Sequence, residues 1–192
     1  MTLPTEFLVH VAELLERLGI PYHVGGSVAS SAHGMYRASA DIDFVIDPTS
    51  DQLEALVHAL EPEFYLSHSA MVEALAHRST FNAIHDETSF KIDFFIKGAA
   101  PFDEEELRRS IRQVVGDEPG HTVLLKSPED TILRKLEWFR RGGETSERQW
   151  QDALSILAAA RGRLDEAHLE RWSRELGIAD LLDRARQQVA DL

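Results

Sequence analysis

The stretch Tyr22-His-Val-Gly-Gly-Ser-Val-Ala-Ser-Ser-Ala-His-Gly-Met-Tyr-Arg-Ala-Ser-Ala-Asp-Ile-Asp-Phe-Val-Ile-Asp47 decides the fold. It begins with a short apolar run that ends in Gly25-Gly26, continues with small residues, and closes on Asp41-Ile-Asp43 within an alternating apolar segment. A glycine pair after an apolar run predicts a tight turn, and the alternation predicts a half-buried strand. The stretch therefore predicts a strand, a glycine turn, a helix and a second strand.

Two aspartates set the chemistry of the second strand. Residues i and i+2 of a strand share a face, so Asp41 and Asp43 point the same way and repel each other. Burial explains them poorly, because an unpaired charge is costly inside a protein. Hard carboxylate oxygens at this spacing suit Mg²⁺ or Mn²⁺, which keep several waters and complete their shells with substrate phosphates. A solvated strand face is the alternative interpretation.

The glycine turn supplies a matching anion site. A backbone without Cβ approaches a phosphate closely, and the N-terminus of the following helix favours an anion. Ser27, directly after Gly25 and Gly26, is placed to cap that helix or to donate to a phosphate. A glycine pair alone is more often a simple turn, but together with the two acids it indicates a nucleoside triphosphate. Arg37 either clamps a phosphate or pairs with neighbouring acids, and the sequence leaves both open.

The composition is that of an acidic globular protein. With 192 residues, of which 43% are hydrophobic, the chain is long enough for a compact domain with a helical extension. It has no cysteine, which excludes disulfides and thiolate metal sites. A net charge of −13 disfavours extended DNA or RNA binding, although residues 131–163 hold seven Lys/Arg against four Asp/Glu. The sequence has neither a secretory leader nor an apolar run of membrane-spanning length, which predicts a soluble cytoplasmic protein without membrane contact.

The spacing of apolar residues predicts a small mixed β-sheet flanked by helices, an α/β (α+β) fold, followed by a C-terminal helical bundle. We expect a core domain over residues 1–126 and a helical region over 127–192 that packs on it. Thr80–His85 and Phe90–Ile96 are predicted to form a hairpin, and residues 114–115 and 123–125 to form edge strands. We expect Lys91 at the surface of the hairpin, with a position lining the cleft as the alternative. Helices are predicted at 6–18, 27–32, 50–60, 69–76, 102–109, 128–141, 146–161, 166–176 and 179–189.

A third acid lies in the second strand of the hairpin. Asp93 is flanked by Ile92 and Phe94, and an acid in so apolar a strand requires a task or a partner. Transfer of a phosphoryl group to a hydroxyl is helped by a second metal on the attacking oxygen. A third carboxylate near Asp41 and Asp43 would hold that metal or accept the proton.

The order of these motifs resembles the DNA polymerase β-like nucleotidyltransferase superfamily. More narrowly, the chain resembles the small bacterial nucleotidyltransferases of the AbiEii toxin type in Gly25-Gly26-Ser27-Val-Ala-Ser-Ser-Ala-His33-Gly34, Arg37, Ser39 and Asp41-Ile-Asp43. Ser39 stands where relatives often have Thr. The resemblance is strong over residues 22–47 and extends to residue 97. It implies a metal-dependent enzyme that moves a nucleoside monophosphate from an NTP to a hydroxyl and releases pyrophosphate.

The resemblance also implies roles for individual residues. Lys135 and Asp152 are the best matches to a Lys that contacts the triphosphate and an Asp that orients it or the acceptor, and an ordinary charged helix surface is the alternative. The implied catalytic and metal-binding set is Asp41, Asp43 and Asp93, with Mg²⁺ or Mn²⁺ as the cofactor. The implied nucleotide-binding set is Gly25, Gly26, Ser27, Arg37, Lys135 and Asp152.

The acceptor stays open at this point. Relatives modify tRNA ends, proteins or small antibiotics, and the resemblance implies a toxin role with a cognate antitoxin as partner. The basic segment from Arg134 to Arg148 would suit a tRNA end, whereas an acidic surface would attract a cationic antibiotic. A nucleotide-binding or partner-binding module without turnover is a further alternative, against which the three acids argue.

Overall fold

The computed structural model of the protein describes residues 3–36, 39, 41–116 and 121–191. Within these residues the chain forms seven strands and nine helices, which confirms the predicted α/β (α+β) class. Arg37, for which a phosphate contact is predicted, lies outside them. No helix in the described part of the chain combines the length and apolar character that crossing a membrane requires.

The predicted elements are present with small shifts at their ends. The helices are α1 Leu3–Arg17, α2 Gly26–His33, α3 Ser50–Leu60, α4 His68–His77, α5 Pro101–Arg108, α6 Pro128–Arg141, α7 Glu147–Ala159, α8 Glu166–Glu175 and α9 Ala179–Ala190. The strands are β1 Tyr22–Val24, β2 Asp41–Ile46, β3 Phe64–Leu66, β4 Thr80–His85, β5 Lys91–Ile96, β6 Ile111–Val114 and β7 Thr122–Leu125.

Local signals fix several of these ends. Helix α3 begins after Thr49, whose hydroxyl accepts from the Gln52 backbone N–H while the Gln52 side chain accepts from the Thr49 N–H. This capping box satisfies two N–H groups that a helix start leaves without partners. Helix α6 begins with Pro128, whose fixed φ suits the first helical position, after the capping residue Ser127.

Two compact units make up the described chain. The strand unit contains α1, α3, α4, α5 and the seven strands, and the helical unit contains α2 and α6 to α9. Helix α2 thus groups with helices that follow it by almost a hundred residues. The division into domains at residue 126 stays a prediction, because compactness of contacts does not by itself define a domain.

The seven strands form one mixed sheet in the order β3-β4-β5-β2-β1-β7-β6. Strand β2 pairs with β5, and β1 with β7, in parallel, whereas the other neighbours are antiparallel. The prediction that both β6 and β7 are edge strands was wrong for β7, which lies between β1 and β6. Four residues of apolar alternation show that a face is buried, but they do not show which strand will pair alongside.

An aromatic layer covers one face of the central strands. The Phe44 and Phe94 rings stack with centroids 5.8 Å apart, and Phe81 stacks on Phe94 at 5.0 Å. Tyr22 packs against Phe44 with a centroid distance of 6.0 Å. Each such buried ring stabilises the fold by roughly 1.5–3 kcal/mol relative to exposure. Because strand side chains alternate, this layer leaves the opposite face of β2 and β5 to the polar residues.

Candidate active site

The register of β2 and β5 brings the predicted acids of the strand unit together. Asp43 lies directly opposite Asp93, and Asp41 lies opposite Lys91. In both strands the residues between them are fully buried on the other face, so these four side chains share one half-exposed face. We call these four residues the carboxylate face. The sequence alone does not reveal that Asp93 is the direct neighbour of Asp43.

Lys91 adds an ammonium to the carboxylate face. Its Nζ lies 2.7 Å from Asp93 Oδ2, with side chains 41% and 18% exposed, so Lys91 is both partly exposed and in contact with a predicted site residue. The hydrogen bond to Asp93 raises the pKa of Lys91, partial burial opposes this, and the charges of Asp93, Asp41 and Asp43 raise it further. Its spacing of two residues from Asp93 puts both on one face of the strand.

Ser39 orients the first aspartate. Its hydroxyl donates a 2.8 Å hydrogen bond to Asp41 Oδ1. A hydrogen bond to a carboxylate is stronger than one between neutral groups and fixes the direction of the acid. Because Ser and Thr both carry a hydroxyl group that can donate this hydrogen bond, either residue suits position 39.

The donor chemistry of the carboxylate face fits Mg²⁺ or Mn²⁺. Asp41 and Asp43 present hard oxygens on one strand, and Mg²⁺ is usually held by one or two carboxylates, several waters and substrate phosphates. Among the described residues, no three or more His, Asp and Glu side chains are grouped so that they could hold a metal ion. The pair on β2 suffices chemically, while the Asp93 carboxylate is hydrogen-bonded to Lys91.

The glycine turn connects β1 to α2. The Gly25 N–H donates to the Asp43 carbonyl at 2.9 Å, which ties the end of β1 to the strand that carries the acids. Gly26 opens α2 with φ of +52°, in the left-handed region that favours glycine. Its carbonyl accepts a 2.8 Å hydrogen bond from the Ser30 hydroxyl, and Ser27 is buried at 2% exposure. The turn needs glycine for its backbone conformation, whatever it binds.

The side chain of a lysine outside the predicted set, Lys126, lies close to this turn. A Cβ added at Gly25 would stand 3.8 Å from Lys126 Cε and 4.0 Å from its Nζ. The Lys126 Nζ forms a 2.9 Å ion pair with Glu106 Oε1, and both side chains are nearly buried. Sequence reasoning missed Lys126, because it follows β7 and reaches Gly25 only through the parallel pairing of β7 with β1.

Lys135 and Asp152, the two nucleotide-binding residues predicted in the helical region, contact each other. Lys135 Nζ on α6 lies 2.8 Å from Asp152 Oδ2 on α7, with side chains only 10% and 14% exposed. This burial disagrees with the alternative of an ordinary solvated helix surface. Their nucleotide-binding roles stay predictions, since a buried ion pair also serves a structural purpose.

The arginines of α6 are engaged by acids within the helical unit. Arg134 and Arg141 donate to the two carboxylate oxygens of Glu137 at 2.7 and 2.6 Å, and Arg140 donates to Asp180 at 2.6 Å. The positive charge of these three arginines is therefore opposed by nearby carboxylates.

Solved structures of nucleotidyltransferases share this fold. ANT(2'')-Ia in complex with adenylyl-2''-tobramycin has 13% identity and a TM-score of 0.58, over 91% of this chain and 97% of that one. A nucleotidyltransferase-like protein from Paracoccidioides brasiliensis has 16% identity and a TM-score of 0.58, over 95% and 91%. The solution structure of the antibiotic-resistance factor ANT(2'')-Ia has 16% identity and a TM-score of 0.53, over 94% and 92%. At this identity the likeness shows the fold alone.

The family follows from the sequence itself. Residues 24–190 match the family described as nucleotidyl transferase AbiEii toxin, type IV TA system. The chain belongs to this family and is a nucleotidyltransferase, which confirms the resemblance inferred from its motifs. No curated protein matches the sequence.

Proposed function

We propose that the protein transfers a nucleoside monophosphate from an NTP to a hydroxyl acceptor, with Mg²⁺ or Mn²⁺ as cofactor. The observation that carries this proposal is the register of the two parallel strands, which sets Asp93 opposite Asp43 and leaves Asp41 on the same face. Three carboxylates so close together on one half-exposed face repel each other and attract a cation. Asp41 and Asp43 hold the metal ion.

The chemical step is a displacement at the α-phosphorus. The acceptor oxygen forms a bond to this phosphorus while the bond to the oxygen that bridges to the β-phosphorus breaks, and pyrophosphate leaves with that electron pair. Asp93 takes the proton of the acceptor hydroxyl or holds a second metal ion. When bound, the metal supplies positive charge that neutralises the triphosphate. The protein mainly positions the reactants and stabilises charge.

The remaining predicted residues bind the nucleotide in this proposal. Gly25, Gly26 and Ser27 present the turn and the N-terminus of α2 to the phosphates. Lys135 contacts the triphosphate, and Asp152 orients it or the acceptor. Arg37 adds a further phosphate contact.

For the biological role we propose the toxin of a toxin–antitoxin pair in the cytoplasm. The family description supports this role. A tRNA end or a protein is then the acceptor, and a cognate antitoxin is a partner. A short acceptor end, rather than a long nucleic-acid tract, agrees with the net charge of −13.

A small cationic acceptor is the second candidate. The acidic chain and the pairing of Arg134, Arg140 and Arg141 with acids both favour a cationic ligand over a polyanion. One structure with this fold is described with adenylyl-2''-tobramycin, a nucleotidylated antibiotic. The two candidates share the nucleotide half of the site and differ only in the acceptor.

The test follows an α-³²P label. Purified protein is incubated with each labelled NTP and Mg²⁺, alone, with total tRNA, with nuclease-treated lysate and with aminoglycosides, and products are resolved on gels and thin-layer plates. We expect label on one acceptor class, absent with Asp41→Asn/Asp43→Asn and retained with Glu87→Gln, an exposed acid in the β4–β5 turn. No label together with no NTP binding by calorimetry would overturn the proposal.

A further inference from the structure

The carboxylate face contains its own cation. Lys91 lies two residues before Asp93 on β5 and directly opposite Asp41 on β2. Its ammonium forms a 2.7 Å ion pair with Asp93 Oδ2. A divalent cation bound beside Asp93 would compete with this ammonium for the same carboxylate, because two cations close together repel each other.

The charges explain why a cation is needed at this place. Asp41, Asp43 and Asp93 are acids on one face of two paired strands, so each is close to at least one other carboxylate. Bringing like charges together in a partly desolvated site is unfavourable unless a cation lies among them. Asp93 is only 18% exposed, so water screens it less than it would a surface acid.

We propose that Lys91 is an exchangeable counter-ion: it neutralises the carboxylate face in the metal-free protein, and it leaves Asp93 when a divalent metal binds. The inference rests on the proposed function, since it concerns the same metal-binding acids. It adds a role for a residue outside the implied catalytic and nucleotide-binding sets.

Two consequences follow from this exchange. The ammonium stabilises the metal-free fold, and it weakens metal binding because its positive charge must be displaced or tolerated nearby. An NTP brings further negative charge, so the site holds the metal better when the nucleotide arrives with it. Lys91 therefore couples metal binding to nucleotide binding, and its removal should reduce that coupling.

The experiment measures Mn²⁺ binding to metal-stripped protein by calorimetry, with and without a non-hydrolysable NTP analogue. The variants are Lys91→Met, Lys91→Arg and the control Arg108→Met, which removes the same charge from an exposed residue paired with Glu105 on α5. We expect Lys91→Met to bind Mn²⁺ about fivefold tighter without nucleotide and to gain less from the analogue. Lys91→Arg and Arg108→Met should bind Mn²⁺ like the wild type.

A second readout does not involve metal. Without metal, Lys91→Met should melt at a lower temperature than Arg108→Met, because its carboxylates lose their counter-ion. Mn²⁺ affinity of Lys91→Met that equals or falls below that of the wild type would overturn the inference, as would a melting temperature no lower than that of Arg108→Met.

Failure of the inference and failure of the proposed function are distinguishable. If the wild type binds Mn²⁺ with the analogue, and Asp41→Asn/Asp43→Asn does not, the metal site stands and only the Lys91 comparison decides the inference. If neither the wild type nor Lys91→Met binds Mn²⁺ even with the analogue, the proposed function itself fails.

Discussion

The carboxylate face of the sheet and the charged interior of the helical unit use ionisable side chains in opposite ways. On the carboxylate face three acids lie on one side of two paired strands, and the ammonium of Lys91 contacts one of them, Asp93; the side chains remain partly exposed. In the helical unit the buried charges contact groups of opposite charge, as Glu137 does with Arg134 and Arg141. Lys135 pairs with Asp152 at 2.8 Å, and both are nearly buried.

Asp130 shows how completely the helical unit satisfies a buried charge. It is 0% exposed, and its Oδ2 accepts from the Ser127 hydroxyl at 2.7 Å while Oδ1 lies 2.6 Å from His168 Nε2. A buried charge that is fully hydrogen-bonded is held in place by the fold, whereas several like charges on a half-exposed face repel each other and attract a metal ion. The difference teaches that charge balance separates a structural acid from a functional one.

The largest effect should come from removing one of the carboxylates of Asp41 and Asp43. Asp41→Asn or Asp43→Asn should lower nucleotidyl transfer by about 10³-fold or more, because the metal loses a ligand. The same variants should unfold at the same or a higher urea concentration, since repulsion is relieved. Initial rates of pyrophosphate release and urea unfolding curves measure both quantities. If the variants lose stability as well as activity, Asp41 and Asp43 have a structural role like that of Asp130.

The next-largest effect is expected at Asp130, the buried acid with hydrogen-bond partners on both carboxylate oxygens. Asp130→Asn should lower the free energy of unfolding by about 3 kcal/mol, because it breaks a buried hydrogen-bonded pair. Urea unfolding followed by circular dichroism measures the loss. Asp180→Asn, which breaks the exposed ion pair with Arg140, is the matched control and should lose far less. Equal losses in the two variants would contradict the contrast between buried and exposed pairs.

The Lys135–Asp152 pair is nearly buried, like a structural ion pair, yet it is predicted to bind the nucleotide. It therefore tests whether a paired, buried charge can also be functional. If Lys135 binds the triphosphate, Lys135→Met should raise KM for the NTP about tenfold, a loss of about 1.4 kcal/mol of binding. Arg134→Met, which removes a charge paired with Glu137 on the same helix, should leave KM unchanged. Steady-state kinetics with both variants decides the matter. A loss of stability with unchanged KM would make the pair structural.

The smallest effect separates backbone strain from phosphate binding. Gly26→Ala forces an L-residue into φ of +52° and should cost about 1 kcal/mol of stability. Gly143→Ala imposes similar strain at φ of +67°, where a Cβ meets nothing within 4 Å. Both should lose similar stability in thermal melts, but only Gly26→Ala should weaken NTP binding by calorimetry. Equal NTP affinity in the two variants would argue against a phosphate cradle at Gly26.

Local sequence signals predicted most of the fold. The spacing of apolar residues located the helices and strands, because periodicity reports directly which side of an element is buried. Thr49, which caps α3, and Pro128, the first residue of α6, each mark the residue at which a helix begins. Alternation also predicted that Asp41 and Asp43 share a face, and the family motifs led to the nucleotidyltransferase class.

Pairings between distant strands could not be predicted in this way. The neighbour of Asp43 depends on the parallel pairing of β2 with β5, and the approach of Lys126 to Gly25 depends on that of β7 with β1. No local propensity encodes a partner that lies far along the chain. The position of Lys91 opposite Asp41 depends on the same pairing of β2 with β5.

The measurement that tests the central claim most directly compares α-³²P and γ-³²P forms of the preferred NTP with wild type and Asp43→Asn. The account predicts that the wild type puts the α label on the acceptor and releases the γ label as pyrophosphate, and that Asp43→Asn does neither. Transfer of the γ label to the acceptor, or full transfer of the α label by Asp43→Asn, would contradict it.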